Sequence, residues 1–457
     1  MSDHTLNVDL LIIGWGKAGK TLAAGYPGRV ALVEQFRTMH GDTCINIACV
    51  PTKTLIHDSD TGTPFPQARD RRDTLIDKLN DANHAMLDDA IILDGRARFV
   101  GPHTVEVTAG EEKMQVTAPR IVINTGSTAH IPDIEGLDPG DIPALADYTT
   151  HTTNSALFHD STSIQHVDPL PEHLLIVGAG PIGMEFASMF AGFGSRVHLL
   201  NNRPGLFGQL DEGIGAEVEK SLTARGVEVV EGELVRVDKQ DGGVRATLQD
   251  GTALLIDAVL FATGRQPATT GLGLEEVEIA LTDRGAVQVD AQLRTSVDGV
   301  WAAGDVNGGP QFTYISYDDH RIIAPQLDGG DAPHGTDDRV AVPTTTFLTP
   351  PLSTVGMTRS EAEDAGYTVT VLSRKVADIA AMPRPKTVGV TDGRITFVVD
   401  SSSHEILGAQ LWCIDSQELI NLVALAMRAG MTAEQLRDGI WTHPSSTEAF
   451  NEVLKGL

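Results

Sequence analysis

Two glycine-rich turns constrain the fold of this chain more than any other feature of its sequence. The first, residues 14–19, reads Gly-Trp-Gly-Lys-Ala-Gly and follows the apolar run 8–13, and the second, residues 178–183, follows the apolar run 174–177. In a strand–turn–helix unit such glycines allow the tight turn, the approach of the backbone to a pyrophosphate and close helix–strand packing. The pair predicts an α/β chain with two dinucleotide sites, or with one site and a decayed copy.

Length and charge exclude several classes of protein. The chain has 457 residues, which predicts about three domains. Its formal net charge is −28, which argues against partners such as nucleic acids or anionic membranes, because these need basic patches. The sequence shows neither a signal peptide nor an apolar run long enough for a membrane span, so we expect a cytoplasmic protein.

The ends of the two second strands differ in charge. The first ends in Glu34, which suits the free ribose hydroxyls of FAD or NAD, and the second runs into Asn201, Asn202 and Arg203. A carboxylate at the second position would repel a 2′-phosphate. Because no carboxylate stands there and Arg203 is nearby, the sequence favours NADPH over NADH. The alternative is that Arg203 is only a charge on a surface loop.

A close pair of cysteines, Cys44 and Cys49, is the third informative feature. Residues five apart in a regular helix differ in height by about 7.5 Å, whereas a disulfide needs Cα atoms within roughly 4.4–6.8 Å. A bridge would therefore need a distorted first helical turn. A redox-active pair is favoured in a cytoplasmic protein, with two inert buried thiols, a structural bridge or half of a zinc site as alternatives. Cys413 is interpreted as a buried core thiol.

The segment around the cysteines resembles a known family. Residues 41–53, Gly-Asp-Thr-Cys-Ile-Asn-Ile-Ala-Cys-Val-Pro-Thr-Lys, are similar to the redox motif of the pyridine nucleotide-disulfide oxidoreductases, which include glutathione reductase, lipoamide dehydrogenase and mercuric reductase. Further similar segments follow in the family's order at residues 125–127, 262–267, 295–305 and 443–448. Within the family the chain most resembles the reactive-chlorine-resistance flavoproteins, on residues 16–22, 44–47, 311–316, 349–353 and 355–358.

This resemblance implies an α/β fold with two Rossmann-like dinucleotide-binding domains, for FAD and NAD(P)H, and a C-terminal α+β dimerisation domain. The implied bounds are 1–148 with 266–336 for the FAD domain, 149–265 for the NAD(P)H domain and 337–457 for the dimerisation domain. The residues implied to bind FAD are Gly14, Gly16, Lys17, Ala18, Gly19, Glu34, Thr43, Lys53, Ala97, Thr125, Gly126, Ser127, Gly304, Asp305, Phe312 and Thr313. Those implied to bind the nicotinamide nucleotide, NADPH or alternatively NADH, are Gly178, Gly180, Pro181, Ile182, Gly183, Asn202, Arg203 and Gly264.

The resemblance also implies a catalytic arrangement. Cys49 corresponds to the thiol beside the flavin and Cys44 to the thiol that meets the substrate. Lys53 would lie near the flavin and pair with Glu185 of the second domain. Electrons would pass from NADPH through FAD to the Cys44–Cys49 disulfide and then to an oxidant.

A histidine near the C-terminus completes the implied site. His443, with Glu448 five residues on, would come from the partner subunit of a homodimer and exchange protons with Cys44. Without the resemblance, His443 would be interpreted as a surface histidine. Pro444 suits the first turn of a helix.

Two residues of the redox segment depart from the family's pattern. Asp42 stands where the family usually has glycine; aspartate tolerates unusual backbone angles but adds a charge near the flavin. Ala48 replaces a common glycine, which we interpret as a helix-compatible change.

The oxidant is the least constrained part of the prediction. The subgroup implies reduction of hypothiocyanous acid or Cu(II) in oxidative-stress defence, with no resident metal. The alternatives are a small-molecule disulfide reductase, a lipoamide dehydrogenase-like enzyme and a mercuric reductase-like enzyme. Residues 451–457 contain no cysteine pair of the kind that mercuric reductase uses. A non-catalytic flavin redox sensor is a remote alternative, against which the intact Cys44, Cys49, Lys53 and His443 argue.

The nicotinamide preference is directly testable. We expect kcat/KM to be higher with NADPH than with NADH, because the second fingerprint ends without a carboxylate. Steady-state oxidation of both nucleotides by the same oxidant measures the ratio, and a ratio below one would contradict the prediction.

Overall fold

A computed structural model describes residues 5–145, 148, 150–203, 205, 206, 210 and 213–457. From the first glycine turn onward, its N-terminal part alternates strands with helices up to residue 94 and then continues as a run of strands to residue 129. The strands are β1 (Thr5–Asn7), β2 (Leu10–Ile13), β3 (Val30–Glu34), β4 (Ile91–Asp94), β5 (Arg96–Gly101), β6 (Thr104–Ala109), β7 (Glu112–Thr117), β8 (Ile121–Ile123) and β9 (Ser127–Ala129). The helices are α1 (Lys17–Gly25), α2 (Thr43–Asn46), α3 (Cys49–Thr61) and α4 (Phe65–Ala85).

The middle of the chain repeats this alternation after the second glycine turn. Its strands are β10 (Phe158–His159), β11 (His173–Val177), β12 (Arg196–Asn201), β13 (Val227–Glu231), β14 (Leu234–Gln240), β15 (Gly243–Leu248), β16 (Ala253–Ile256) and β17 (Ala258–Phe261). Its helices are α5 (Pro181–Gly192) and α6 (Ile214–Ala224). The chain then returns to the first domain through β18 (Arg265–Pro267), β19 (Val300–Ala302) and α7 (Thr313–Leu327).

The C-terminal part is α+β. Its strands are β20 (Thr344–Thr346), β21 (Leu352–Gly356), β22 (Val369–Lys375), β23 (Arg394–Asp400) and β24 (Ile406–Trp412). Its helices are α8 (Arg359–Asp364), α9 (Pro383–Val388), α10 (Ser416–Arg428), α11 (Ala433–Arg437) and α12 (Ala449–Val453). The strands pair antiparallel in the order β20-β21-β24-β23-β22.

Two parallel sheets carry the two glycine turns. The first has the order β19-β8-β2-β3-β4 and the second the order β10-β17-β11-β12-β13. In each, the strand before the glycine turn is central and is covered on both faces. Along β2, Leu10 and Ile12 pack towards α1 and α7, whereas Leu11 and Ile13 pack towards the antiparallel strands β5, β6 and β7. The predicted α/β class with two Rossmann-like units is therefore confirmed.

The three parts of the chain share one apolar core where they meet. Leu55 of α3, Met184 and Phe190 of α5, and Leu352 and Trp412 of the C-terminal sheet belong to the same buried cluster. This shared core fixes α3, which begins at Cys49, between the two nucleotide-binding units and the C-terminal sheet.

Other regions refine the sequence interpretation. The segment 132–171, which is rich in Thr, Ser, Asp, Pro and His, contains the short strand β10 and a 3₁₀ turn at Ser163–His166. The predicted domain boundary at residues 148 and 149 falls where Thr149, with residues 146 and 147, lies outside the described residues. In the described part of the chain, no helix is both long enough and apolar enough to span a bilayer.

The C-terminal domain exposes several large apolar side chains. Val340 is 61% exposed, Leu425 is 60% exposed and Ile440 is fully exposed. Cys413, in contrast, is buried among the core residues of the same domain, as predicted, and this burial raises the pKa of its thiol.

Candidate active site

The two cysteines lie on separate helices. Cys44 is in the single turn of α2 and Cys49 is the first residue of α3. Between them the backbone leaves the helical conformation at Ala48, where φ is −120° and ψ is −101°. This break is the distorted turn that the five-residue spacing requires, and the interpretation of Ala48 as a helical residue is wrong. Both cysteines are free thiols here, and each shifts the pKa of the other.

The environment makes the two thiols unequal. The hydrogen bond from Cys44 lowers the pKa of Cys49 to about 6; Thr313 and the positive charge of Lys53 add to this effect, against the opposing effect of burial. The same pairing with Cys49, together with burial, raises the pKa of Cys44 far above its ordinary value. Within the pair, the proton is therefore favoured on Cys44 and the negative charge on Cys49.

An ion pair connects the thiols to the second nucleotide-binding unit. Lys53, one turn after Cys49, places its Nζ 2.7 Å from Oε2 of Glu185 on α5. The other carboxylate oxygen, Oε1, accepts a hydrogen bond of 2.8 Å from the amide of Phe347. The ring of Phe347 in turn lies 4.8 Å from the Lys53 ammonium, a cation–π contact. Helix α3 of the first domain, helix α5 of the second and the C-terminal part therefore meet at this ion pair.

The first glycine turn is tightly fitted around Asn124. Gly14 has φ +94°, and a Cβ there would lie 2.5 Å from the backbone oxygen of Asn124. A Cβ on Gly16 would lie 2.3 Å from the Asn124 side-chain oxygen, which accepts a hydrogen bond from the Gly19 amide. The sequence interpretation missed Asn124, which supports the turn implied to bind FAD, although its position before Thr125 and Gly126 at the end of an apolar strand is a signal for it.

The remaining residues implied to bind FAD surround this turn. The N-cap residues of α1 and α7 make no side-chain capping bond, but in α1 the Ala18 and Gly19 amides already donate to Ser316 and Asn124. Among the described residues no side chain caps α7, so this helix keeps amide donors for an anionic ligand. Ser127 donates a 2.6 Å hydrogen bond to Asp305, and Glu34 accepts amide hydrogen bonds from Trp15 and Phe36. Burial raises the pKa of Glu34.

The other residues implied to bind FAD lie at the starts of helices, on a strand or just after strands. Lys17 and Ala18 open α1, Thr43 opens α2, Ala97 is buried on β5, and Phe312 and Thr313 stand at the start of α7. Thr125, Gly126 and Gly304 lie on the loops at the carboxyl ends of β8 and β19. These positions fit a pyrophosphate-containing cofactor laid along one edge of the first sheet.

The second glycine turn has the same shape with more open space. A Cβ on Gly183 would lie 1.9 Å from the oxygen of Gly178, so only glycine fits there. A Cβ on Gly180, in contrast, would have no neighbouring atom of the described residues within 4 Å. Within the same residues no side chain caps α5, which begins with Pro181 and Ile182. Asn202, Arg203 and Gly264 lie on adjoining loops. This turn leaves room for a pyrophosphate.

His443 and Glu448 form a pair away from the thiols. Glu448 accepts a 2.9 Å hydrogen bond from Nδ1 of His443, whose side chain is 72% exposed, and this bond lowers the pKa of Glu448. For the described residues, the hydrogen bonds and ion pairs of His443 lead to Glu448 and not to either cysteine. Helix α12 begins at Ala449, so Pro444 lies in the preceding loop and its predicted helical position is wrong.

The chain matches known proteins over most of its length. Residues 8–319 match the family model described as pyridine nucleotide-disulphide oxidoreductase, and residues 342–454 match that family's dimerisation domain. The chain is 41% identical over 453 residues to the probable pyridine nucleotide-disulfide oxidoreductase RclA of Escherichia coli (strain K12), covering 97% of this chain and 98% of that protein. It is 33% identical to mercuric reductase of Streptomyces lividans, covering 99% of this chain and 95% of that one.

A solved structure agrees with these matches. The Cu(II) complex of the HOCl-induced flavoprotein disulfide reductase RclA from Escherichia coli superposes with a TM-score of 0.91 at 39% identity, covering 99% of each chain.

The acidity of Cys49 generates a prediction about Thr313, whose Oγ1 lies 3.6 Å from the Cys49 sulfur. Thr313→Val removes this hydrogen bond and should raise the pKa of Cys49 by about one unit, since a hydrogen bond to a charged group contributes about 1.5 kcal/mol. The pH dependence of Cys49 alkylation by iodoacetamide measures this pKa. Thr387→Val, at an exposed hydroxyl on α9, is the control, and an unchanged Cys49 pKa in Thr313→Val would contradict the assignment.

Proposed function

The chain belongs to the pyridine nucleotide-disulphide oxidoreductases, and on that premise we propose that it reduces hypothiocyanous acid with electrons from NADPH. It is an FAD- and pyridine nucleotide-dependent enzyme of the flavoprotein disulfide reductase type. FAD, when bound, carries electron pairs from the nicotinamide nucleotide to the disulfide of the protein. The observation that supports the substrate proposal is the pair of thiols with unequal ionisation, together with the 41% identity to RclA.

The proposed residues have distinct roles. Cys44 is the attacking thiol, but its raised pKa keeps it protonated, so it needs a base. His443 of the partner subunit, oriented by its Glu448, takes that proton. The dimerisation domain and the exposed apolar residues of the C-terminal part support a homodimer. Lys53, held by Glu185 and Phe347, stabilises the thiolate of Cys49.

The two cysteines reduce hypothiocyanous acid in two steps that need no further reactant. The Cys44 sulfur attacks the electrophilic sulfur of hypothiocyanous acid, an S–S bond forms, and hydroxide leaves and is protonated to water. The Cys49 thiolate then attacks the Cys44 sulfur and displaces thiocyanate, which gives the Cys44–Cys49 disulfide. Overall, Cys44 and Cys49 lose two electrons and form the disulfide. Hypothiocyanous acid gains these two electrons and becomes thiocyanate and water.

Cu(II) is a second candidate substrate, because the solved structure of RclA cited above is described as a Cu(II) complex. Two Cu(II) ions would each take one electron from the pair, which would give two Cu(I) ions, the Cys44–Cys49 disulfide and the one proton held by Cys44. Both candidates imply a role in defence against oxidants. We propose the cytoplasm as its location, because a dithiol of this kind is kept reduced there.

The substrate proposal is tested by a panel of oxidants. NADPH consumption is measured with hypothiocyanous acid, Cu(II), Hg(II), oxidised glutathione and lipoamide, and we expect the highest kcat/KM with hypothiocyanous acid. Cys44→Ser should lower that activity about a thousandfold or more, because the attacking atom is lost. Cys413→Ala, which changes the third cysteine, is the matched control. Activity confined to glutathione or lipoamide would refute the proposal.

The shared site is tested by mixing two inactive variants. Cys44→Ser and His443→Ala homodimers should each lose activity, whereas the mixed dimer has one intact site and should recover roughly half of the wild-type rate per dimer. Differently tagged subunits allow the mixed dimer to be purified and assayed. If His443 acts on the Cys44 of its own subunit, both sites of the mixed dimer are defective and no activity returns.

A further inference from the structure

A buried ion pair lies directly behind the turn that carries Cys44. Nζ of Lys20, on α1, is 2.7 Å from Oδ2 of Asp42, and the two side chains are only 3% and 4% exposed. Lys20 also donates hydrogen bonds of 2.7 Å to the Gly41 carbonyl and to the Asn83 side chain on α4. A lysine at this depth needs such partners, because an unpaired buried charge is strongly unfavourable.

Asp42 adopts a backbone conformation that aspartate rarely takes. Its φ is +92° and its ψ is 168°, in a region that is otherwise almost restricted to glycine. Its Oδ1 accepts a 3.0 Å hydrogen bond from the Ile45 amide and so caps α2. A non-glycine residue persists at such angles only where the surroundings hold it, and here Lys20 and the cap do so.

The same turn is held from its other end. Asn46, the last residue of α2, donates hydrogen bonds to the carbonyls of His40 and Asp42 and accepts one from Asn80 on α4. The position of Cys44 is therefore set by a polar network that begins at the Lys20–Asp42 pair and is closed by α4.

We propose that Asp42 is a positioning residue of the dithiol: anchored by Lys20, its carboxylate holds α2 in place and supplies a negative charge beside both thiols. The inference rests on the proposed dithiol chemistry and adds to it a control of thiol reactivity. It assigns to Lys20 and Asp42 a role distinct from that of Lys53, which follows Cys49 on α3 and carries the opposite charge to Asp42.

The charges around the thiols act in opposite directions. The negative charge of Asp42 raises the pKa of both Cys44 and Cys49, while Lys53 lowers that of Cys49. Thr313, on α7, lies 3.6 Å from the Cys49 sulfur and lowers the pKa of both thiols. Glu185 and Lys20 act indirectly, since each compensates the charge of its partner. Asp42 thus opposes the ionisation that Lys53 promotes.

Two charge variants separate this role from a purely structural one. Asp42→Asn keeps an oxygen acceptor for the cap, removes the negative charge and leaves Lys20 uncompensated, so the pKa of Cys49 should fall. Lys20→Met leaves Asp42 uncompensated, so the pKa of Cys49 should rise. At a pH about one unit below that pKa, we expect the Cys49 alkylation rate to increase roughly three- to tenfold in Asp42→Asn and to decrease in Lys20→Met.

The measurement uses the reduced FAD-loaded enzyme, iodoacetamide and mass spectrometry, which resolves Cys49 from Cys44. Asp141→Asn, which breaks a Lys–Asp pair with Lys239 that is not among the groups shifting the pKa of either thiol, is the matched control. Asp42→Gly suits the positive φ and also removes the charge, so it should change the rate in the same direction as Asp42→Asn. An unchanged rate in Asp42→Asn, or equal directions in Asp42→Asn and Lys20→Met, would overturn the proposal.

No oxidant takes part in this experiment, so its result is independent of the substrate. If the pKa changes as expected but hypothiocyanous acid is not reduced, the role of Asp42 stands and the substrate proposal fails. If hypothiocyanous acid is reduced but the pKa does not respond to charge, the reverse holds.

Discussion

The arrangement of this molecule depends on one geometric constraint: two sulfurs five residues apart must reach each other. A continuous helix cannot bring them together, so the chain breaks at Ala48 into α2 and α3. A broken helix loses part of its own support and must be held by its neighbours. The shared apolar core holds α3, while capping and side-chain hydrogen bonds hold the single turn of α2.

The charges near the sulfurs also join the parts of the chain. Glu185 of α5 is bound at one oxygen by Lys53 and at the other by the amide of Phe347, which precedes β21. The nucleotide-binding units and the C-terminal domain thus meet at one carboxylate. This geometry links the pKa of Cys49 to the relative position of the domains. If the domains moved apart, Lys53 would lose its partners, and its positive charge would stabilise the Cys49 thiolate less.

Much of this organisation could be predicted from the sequence, because it depends on short local patterns. The glycine turns and their flanking apolar strands have a fixed chemical reason for each residue, and they predicted both parallel sheets. The contacts of Asn124, Lys20 and Phe347 could not be predicted in this way. Each joins residues that are distant in sequence: Asn124 meets Gly19 across 105 positions and Phe347 meets Glu185 across 162. The local conformation of Ala48 and Pro444 was mispredicted because tertiary packing overrode helix preference.

The exposure of His443 in a single chain has a consequence for how the activity of the enzyme depends on its concentration. If each reaction centre is assembled from two subunits, the number of working centres follows the law of mass action rather than the number of chains. At low copy number, total activity would then rise faster than protein concentration, because more protein would also mean a larger fraction of subunits in dimers. Dilution during purification would have the opposite effect, and the loss would reverse on concentration.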